Sequence, residues 1–243
     1  MMGLFSSKVL VRDSGLMEGF RDCHCHLLPG VDDGVQESDE TMQILEEWEL
    51  LGVKEVWLTP HIMEDIPNEP VALRERFESL TAFYIGNVKL HLAAEHMMDG
   101  LFLKRLEKND VMTYDDSLNK GGKLLVETSY YTPPMNMTAV IERIKERGGV
   151  PILAHPERYQ YMDKTDYKRW KQRGVLLQLN VPSLVGAYGP MVQKKAEWLL
   201  KENMYDYCGS DTHSTNQVVM FLNSEISKKT VKMIKNIAEK QQL

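Results

Sequence analysis

The chain has few cysteines, no long apolar run and no excess of basic residues, and each absence excludes a class of protein. Three cysteines are too few, and an odd number, for a disulfide framework. No apolar run approaches the roughly 20 residues of a membrane-spanning helix, and the first residues lack the apolar core of a secretion signal. A net charge of −6 disfavours contact with nucleic acid, which requires clustered lysine and arginine. We expect a cytoplasmic protein that neither enters a membrane nor binds nucleic acid.

The composition is that of a globular protein with a sizeable core. The chain has 243 residues, of which 43% are hydrophobic and 26% charged. We find no low-complexity linker. We expect a single domain over 1–243, with an N-terminal extension over 1–17 and a C-terminal helix over 216–243.

Short apolar runs that end in polar residues recur along the chain. The seven runs are GFRDCHCH, VKEVWLTPH, VKLHLAAEH, KLLVETSY, VPILAHPE, VLLQLNVPS and YDYCGSDTH. Continuous apolar runs of this length are typical of strands buried on both faces, as in a parallel sheet. We therefore predict seven parallel strands.

The segments between these runs have helical periodicity. SDETMQILEEWELLG places Leu45 and Trp48 on one stripe, and EPVALRERFESLTAFY opens with Pro70, a residue favoured in the first helical turn. MTAVIERIKERGG and GPMVQKKAEWLLKEN have similar patterns. The repeated alternation indicates an α/β fold, and the strand count favours a barrel over an open sheet. In either case reactive groups belong at the carboxyl ends of the strands.

Six of the seven runs end in residues that can bind a metal ion. Five of the seven histidines of the chain lie at these ends, together with four carboxylates. Since parallel strands place their carboxyl ends at one edge, we expect these side chains to converge. The candidate ligands are His24, His26, Asp32, His61, Glu95, Glu127, His155, Asp211 and His213.

Nine ligands exceed the needs of one ion, since a site takes three or four protein ligands plus water. The set therefore predicts two or three ions, with at least one bridging carboxylate. Imidazole and carboxylate without thiolate suit Mn, Fe, Zn or Mg, and the ligand types do not choose among them. Cys23 and Cys25 alternate with the histidines and are expected to face the other side of the strand.

These motifs resemble those of the polymerase and histidinol phosphatase (PHP) superfamily. More narrowly, CHCHLLPGVDDG, LTPHIMED, LLVETSYYTPP, ILAHPERYQYM and GSDTHS look like the bacterial PHP-type protein-tyrosine phosphatases. The resemblance covers roughly residues 18 to 215. It implies a distorted seven-stranded (β/α) barrel with the metal site at the carboxyl rim. It also implies metal-dependent hydrolysis of phosphotyrosine in proteins, notably tyrosine kinases that control capsule and exopolysaccharide synthesis.

Carried over by position, the family pattern implies up to three ions, usually manganese. His24, His26, Glu95 and Asp211 would hold the first ion. Glu95 would bridge to a second ion, shared with Glu127 and His155. Asp32, His61 and His213 would hold the third. We prefer Asp32 to Asp33 on its spacing from the H-x-H motif.

The chain departs from the family pattern after the D-x-H motif. The family commonly has an arginine there that contacts phosphate, whereas this chain has Asn216 and Gln217. Arg158 of the HPER motif is then the main candidate for binding phosphate. Tyr130 and Tyr159 are candidate walls for an aryl phosphate. We give His96, which follows the rim glutamate, as a weak candidate for the general acid.

Three other functions compete with a protein-tyrosine phosphatase. A small-molecule phosphatase, such as one for histidinol phosphate, would share the metal site. A weakly active or non-catalytic metal-binding module would explain the missing arginine. A nuclease fits poorly with an acidic chain that lacks a basic run. The oligomeric state is left open.

Overall fold

Short strands and longer helices alternate along the chain. The computed structural model describes residues 7–115, 117–241 and 243. Within them the strands are β1 (Lys8–Leu10), β2 (Arg21–Cys25), β3 (Glu55–Leu58), β4 (His61–Ile62), β5 (Lys89–Leu92), β6 (Glu95–Met97), β7 (Lys123–Glu127), β8 (Val150–Leu153), β9 (Leu176–Asn180), β10 (Tyr207–Gly209) and β11 (Glu225–Ser227). The helices are α1 (Ser38–Leu50), α2 (Pro70–Phe83), α3 (Gly100–Lys108), α4 (Met137–Glu146), α5 (Lys164–Gln172), α6 (Pro190–Lys201), α7 (Thr215–Leu222) and α8 (Lys228–Ala238).

The fold is a mixed α/β architecture built on a curled parallel sheet. One set of parallel strands has the order β10-β9-β8-β7-β6-β4, and a second has the order β2-β3-β5. The run that contains β3 and β4 passes from one set to the other after Leu58, and the run that contains β5 and β6 does so after Leu92. Two continuous stretches of chain therefore join the two sets.

The other edge of β2 approaches the chain that follows β10. The backbone N–H of Asp211 donates to the carbonyl of His24 at 2.7 Å, and that of His26 donates to the carbonyl of Thr212 at 2.8 Å. These bonds bring the ends of β2 and β10 together. The residues of both ends thereby share one face of the molecule.

The predicted strand and helix pattern is largely confirmed. Each of the seven apolar runs contains a parallel strand, and two of the runs are divided into two short strands. In α1, Leu45 and Trp48 face the core as their spacing predicted, and α2 begins at Pro70. Buried apolar side chains on the strands and on the inner stripes of the helices form the core.

The two ends of the chain differ from the expectation. Residues 8–10, expected in an extension, form β1 and pair antiparallel with β11. The segment expected to form one C-terminal helix contains most of α7, then β11 and α8. The reason is tertiary, because β11 exists only through its pairing with β1, at the other end of the chain.

Candidate metal centre

Nine side chains with metal-binding atoms meet at the carboxyl edge of the parallel strands. His24 lies in β2 and His26 follows it, and Asp211 and His213 follow β10. His61 and Glu95 begin β4 and β6, Glu127 ends β7, His155 follows β8, and Asp33 stands in the loop after β2. We call this group the rim cluster, consisting of His24, His26, Asp33, His61, Glu95, Glu127, His155, Asp211 and His213. It differs from the predicted set at one position, where Asp33 replaces Asp32.

The first part of the rim cluster joins β2 to the segment after β10. His24, His26 and Asp211 each offer one atom within 4.8 Å of the others. The Nε2 atoms of His24 and His26 lie 3.1 Å apart, and Asp211 Oδ1 lies 3.4 Å from the first and 3.5 Å from the second. All three residues are buried. The backbone hydrogen bonds between β2 and Asp211 therefore create this group.

The second part centres on Glu95. His61 Nδ1 lies 3.2 Å from Glu95 Oε2 and 3.1 Å from Glu127 Oε1. His155 Nε2 lies 2.9 Å from Glu95 Oε1. Glu95 Oε2 is also 3.2 Å from His24 Nε2. Glu95 therefore stands between two groups of potential ligands, the position a bridging carboxylate requires.

The third part contains Asp33, and our preference for Asp32 is corrected here. Asp33 Oδ1 lies 3.4 Å from His61 Nε2 and 3.6 Å from His213 Nε2. Asp32 instead uses Oδ2 to accept hydrogen bonds from His26 Nδ1 at 2.8 Å and from the His61 N–H at 2.9 Å. Spacing along the chain could not distinguish the two neighbours, because the loop conformation decides which carboxylate faces the cluster.

The loop that carries these aspartates turns tightly against β2. A Cβ atom at Gly34 would lie 2.2 Å from the carbonyl oxygen of His26. Only glycine can occupy that position without moving the backbone. The turn brings the Val35 N–H to the same carbonyl at 3.0 Å. Gly34 therefore fixes the return of the chain just after Asp33.

Two cluster residues have unusual backbone conformations. His155 has φ 31° and Asp211 has φ 53°, both in the left-handed region that side chains other than glycine rarely adopt. Such conformations persist only where the surroundings impose them, and they are concentrated at functional sites. Here both residues lie just beyond strand ends, where the turn aims their side chains back into the cluster.

The unused atoms of the cluster are suited to metal ions. Glu95 Oε2 and His61 Nδ1 are buried and make no hydrogen bond of suitable geometry among the described residues, although they lie within ion-pair distance of each other. His24 Nδ1 bonds to Gln178 Oε1 at 3.0 Å, as His26 Nδ1 does to Asp32, so both Nε2 atoms are left for the cluster. The donor set is therefore of nitrogen and oxygen. Cys23 and Cys25 are buried elsewhere, and burial raises the pKa of both thiols.

The electrostatics of the cluster favour the ionised forms of Glu95 and Asp211, whose pKa values are both lowered. Burial disfavours the charge of Asp211, but neighbouring His24 and His26 outweigh it and hold the pKa of Asp211 well below its usual range. Burial also disfavours a charged His24, yet Glu95 and Asp211 raise its pKa to about 9. Cations bound here would stabilise the negative charge of the carboxylates, as protonated histidines do when no cation is bound.

Arg158 reaches the cluster from the loop after β8. Its Nη1 donates to Asp211 Oδ2 at 2.8 Å. Its guanidinium carbon lies 4.2 Å from the ring centre of Tyr130 and 4.4 Å from that of Tyr188. The same Asp211 oxygen accepts from Asn180 Nδ2 at 2.8 Å. Arg158 is thus positioned by an ion pair and two aromatic faces, with 18% of its side chain exposed.

Two predicted site residues do not reach the site. His96 is fully buried beside Phe102, and its Nε2 accepts the Met112 N–H at 3.2 Å, so burial and this contact remove it as a general acid. Burial lowers the pKa of His96 to about 4, so the ring is neutral. Tyr159 is also fully buried, and its hydroxyl donates to the Ala154 carbonyl, so it cannot contact substrate. Tyr130, which is partly exposed beside His155, does lie at the site.

Sequence reasoning missed two residues of β9 that support the cluster. Gln178 Oε1 bonds to His24 Nδ1 and also accepts the His155 N–H at 3.1 Å. Asn180 bonds to Asp211. The sequence contained a signal, because VLLQLNVPS was the one apolar run without a metal-capable end and it carries two polar amides two residues apart.

Comparison with known proteins places the chain in a family. The sequence profile of the family described as "Capsular polysaccharide synthesis, CpsB/CapC" matches residues 20–240. The chain belongs to the CpsB/CapC family. Among relatives, tyrosine-protein phosphatase YwqE of Bacillus subtilis is 25% identical over 231 residues, covering 90% of this chain and 89% of the relative. Tyrosine-protein phosphatase CpsB of Streptococcus pneumoniae is 26% identical over 213 residues, covering 79% and 82%.

A solved structure of the family has the same fold. It comes from the crystal structures of YwqE from Bacillus subtilis and CpsB from Streptococcus pneumoniae, described as unique metal-dependent tyrosine phosphatases. The TM-score is 0.75 at 22% identity, and the match covers 90% of this chain and 86% of the other. The curled α/β fold is therefore that of this CpsB/CapC relative. Within the described residues, no helix combines the length and apolar character needed to cross a membrane.

Proposed function

We propose that this protein is a metal-dependent phosphatase that hydrolyses phosphotyrosine in proteins. The observation that carries the proposal is the convergence of the rim cluster, five histidines and four carboxylates, with the guanidinium of Arg158 beside it. A phosphate monoester is a dianion whose uncatalysed hydrolysis is extremely slow, so its hydrolysis requires concentrated positive charge. Family membership and the names of the relatives support the same activity.

We assign metal ligation to the rim cluster, with Asp33 in place of Asp32. His24, His26 and Asp211 would hold one ion, and His61, Glu95 and Glu127 with His155 would hold another. His26, His61, His213 and Asp33 would complete a third group. Manganese is the metal we propose, with Fe, Zn and Mg as the other candidates for this donor set.

Bound ions would supply Lewis-acid charge and would lower the pKa of a coordinated water. The protein's own residues do the rest. Arg158 can bind two phosphoryl oxygens with its forked N–H groups if it gives up its bond to Asp211. Tyr130, against Arg158 and His155, provides a wall for the aryl ring. A phenol leaving group, with a pKa of about 10, needs less help from a general acid than a serine alkoxide does.

We propose a bacterial tyrosine kinase of capsule or exopolysaccharide synthesis as the protein substrate, and the cytoplasm as the location. Support comes from the family, whose description names capsular polysaccharide synthesis. We also propose that the chain forms one domain, in which the two parallel sheets act as a distorted seven-stranded barrel. The bonds of Asp211 and His26 across the gap between β2 and β10 support that closure.

The experiment that tests the function is phosphate release by chelated protein reloaded with Mn²⁺. Substrates are a phosphotyrosine peptide, a phosphoserine peptide and histidinol phosphate. We expect hydrolysis of the tyrosine peptide, abolished by chelator. Preference for histidinol phosphate would instead assign a small-molecule phosphatase. Metal-loaded protein that hydrolyses none of the three would be a metal-binding module without this activity.

A further inference from the structure

A groove leads away from the rim cluster along α7. One wall is formed by Gln217, Met220 and Phe221 of α7 and by Ser224, which lies just beyond the end of the helix. Met220 and Phe221 stand three and four residues after Gln217, so these three side chains share one side of the helix. The opposite wall is the segment 182–188 that follows β9, and the volume of the groove is about 330 Å³. We call it the α7 groove.

The inner end of the α7 groove adjoins the candidate metal centre. Ser210 and Thr212, the two neighbours of Asp211 in the chain, line the groove. Tyr188 is shared, since its ring also contacts Arg158 and its hydroxyl lies 3.5 Å from Asp211 Oδ2. Gln217 Oε1 accepts the His213 N–H at 2.8 Å. A substrate bound at Arg158 would therefore have the mouth of the groove beside it.

The length of the groove corresponds to a short stretch of polypeptide. From Gln217 to Phe221 the helix rises by about 6 Å, at roughly 1.5 Å per residue, and Ser224 extends the wall past the end of the helix. An extended peptide covers the helical part with about two residues, at roughly 3.3 Å each. The groove thus has room for side chains next to a residue held at the cluster.

The lining of the groove indicates which side chains would bind there. None of the described residues that line it is charged, although 26% of the chain is. Val185, Met220 and Phe221 supply apolar surface, and Met220 is 64% exposed. Methionine is an adaptable contact for apolar partners, and an exposed one beside an active-site opening is poorly explained by packing.

We propose that the α7 groove binds about two or three uncharged residues, at least one of them apolar, on one side of the phosphotyrosine in the protein substrate. The inference rests on the proposed phosphatase function. The occupant is a substrate segment because Tyr188 both lines the groove and contacts Arg158, and because Ser210 and Thr212, also in the lining, flank Asp211 of the cluster. A charged side chain there would lose water without gaining a partner.

Peptide kinetics test the groove. The substrates are phosphotyrosine peptides with leucine, lysine or glutamate at the three positions before or after the phosphotyrosine, and a small aryl phosphate without flanking residues. When the varied residues lie on one side of the phosphotyrosine, we expect kcat/KM for the leucine peptides to exceed the values for the lysine and glutamate peptides at least about tenfold. Testing both charges distinguishes a preference imposed by the groove from general repulsion of glutamate peptides by an acidic protein.

Substitution of Met220 tests whether the preference for leucine peptides arises in the α7 groove. Met220→Lys should reduce kcat/KM for the leucine peptide, relative to the aryl phosphate, at least about tenfold, and should raise that for the glutamate peptide. Met220→Glu should favour the lysine peptide instead. Met191→Lys is the matched control, because Met191 is 71% exposed at the start of α6 and does not line the groove. It should leave the leucine preference unchanged.

Several outcomes would refute the proposal that the α7 groove binds the substrate. Equal kcat/KM for all flanking residues would do so, as would an equal loss on the aryl phosphate and every peptide in Met220→Lys. A dimer of the wild type that Met220→Lys dissociates, seen by sedimentation, would assign the surface to a second copy instead.

A binding measurement tests the α7 groove independently of catalysis. If the metal-loaded protein hydrolyses no aryl phosphate, the proposed function fails. The groove is then judged by fluorescence anisotropy with the leucine phosphotyrosine peptide. We expect the Kd of this peptide to be at least about tenfold higher for Met220→Lys than for the wild type. An unchanged Kd would refute the proposal that the α7 groove binds the substrate.

Discussion

At the scale of single residues, Asp211 shows how the site separates two tasks within one side chain. Its Oδ2 accepts from Arg158 and Asn180, while its Oδ1 faces His24 and His26. In the proposed site, the first oxygen positions Arg158 to bind phosphate, and the second would bind a metal ion. The left-handed backbone of Asp211, with φ 53°, places the carboxylate so that its two oxygens face these two sets of partners.

Arg158→Ala should lower kcat/KM for a phosphotyrosine peptide at least about tenfold, because the variant loses the forked hydrogen bonds to phosphate. Metal content should stay intact, since Asn180 still holds Asp211. Arg158→Lys should not restore the loss, because an ammonium group cannot bind two oxygens in the same plane. Steady-state kinetics with metal analysis make the measurement. Unchanged turnover in Arg158→Ala would remove the arginine from the site.

The choice between neighbouring aspartates is also a question at this scale. Asp33→Asn should reduce the metal bound per protein, because Asp33 Oδ1 faces His61 and His213. Asp65→Asn, an equally simple change at an exposed acid outside the rim cluster, is the control. Elemental analysis after dialysis against Mn²⁺ gives the result. Full metal content in Asp33→Asn would exclude Asp33 as a ligand.

At the scale of elements, the helices are positioned by their apolar stripes. In α1, Ile44, Leu45 and Trp48 are buried, whereas Leu50 on the same helix is 83% exposed. This contrast follows from the periodicity of 3.6 residues per turn. Because α1 follows the loop of Asp32 and Asp33, its packing also anchors that part of the rim cluster.

Trp48→Ala should lower the free energy of unfolding by about 3–5 kcal/mol, because it leaves a cavity on the buried face of α1. Leu50→Ala, on the same helix but exposed, should change it by no more than about 0.5 kcal/mol. Denaturant titrations followed by circular dichroism compare the two. A similar, small effect of both substitutions would contradict the packing of α1 described above.

At the scale of the whole molecule, the rim cluster joins distant parts of the chain. Its members come from the loops and ends of six apolar runs between His24 and His213. An ion that binds the folded arrangement alone stabilises it over the unfolded chain. Metal binding and global stability should therefore be coupled.

Added Mn²⁺ should raise the unfolding temperature of chelated protein, by an amount that corresponds to about 2.7 kcal/mol at one hundred times the dissociation constant. His155→Ala should bind less metal and show a smaller rise, since His155 faces Glu95. His91→Ala is the control, because His91 stacks on Trp57 away from the cluster. Scanning calorimetry with and without chelator gives both values. An equal rise in wild type and His155→Ala would exclude His155 as a ligand.

Several features of this protein were determined by sequence alone. The apolar runs and the helical stripes specified the α/β pattern, since burial and hydrogen bonding leave few ways to arrange such segments. Polar residues at the ends of the runs indicated one site, because parallel strands end at a common edge. Eight of the nine residues of the rim cluster were predicted on that basis.

Only the tertiary structure decided which neighbouring side chain faces the site. Asp33 rather than Asp32, and the burial of His96 and Tyr159, depend on turn conformations and on contacts with distant segments. The pairing of β1 with β11 and the α7 groove likewise join residues far apart in the chain. Local patterns specify which segments are buried, but the direction of a side chain in a loop follows from packing that local sequence does not encode.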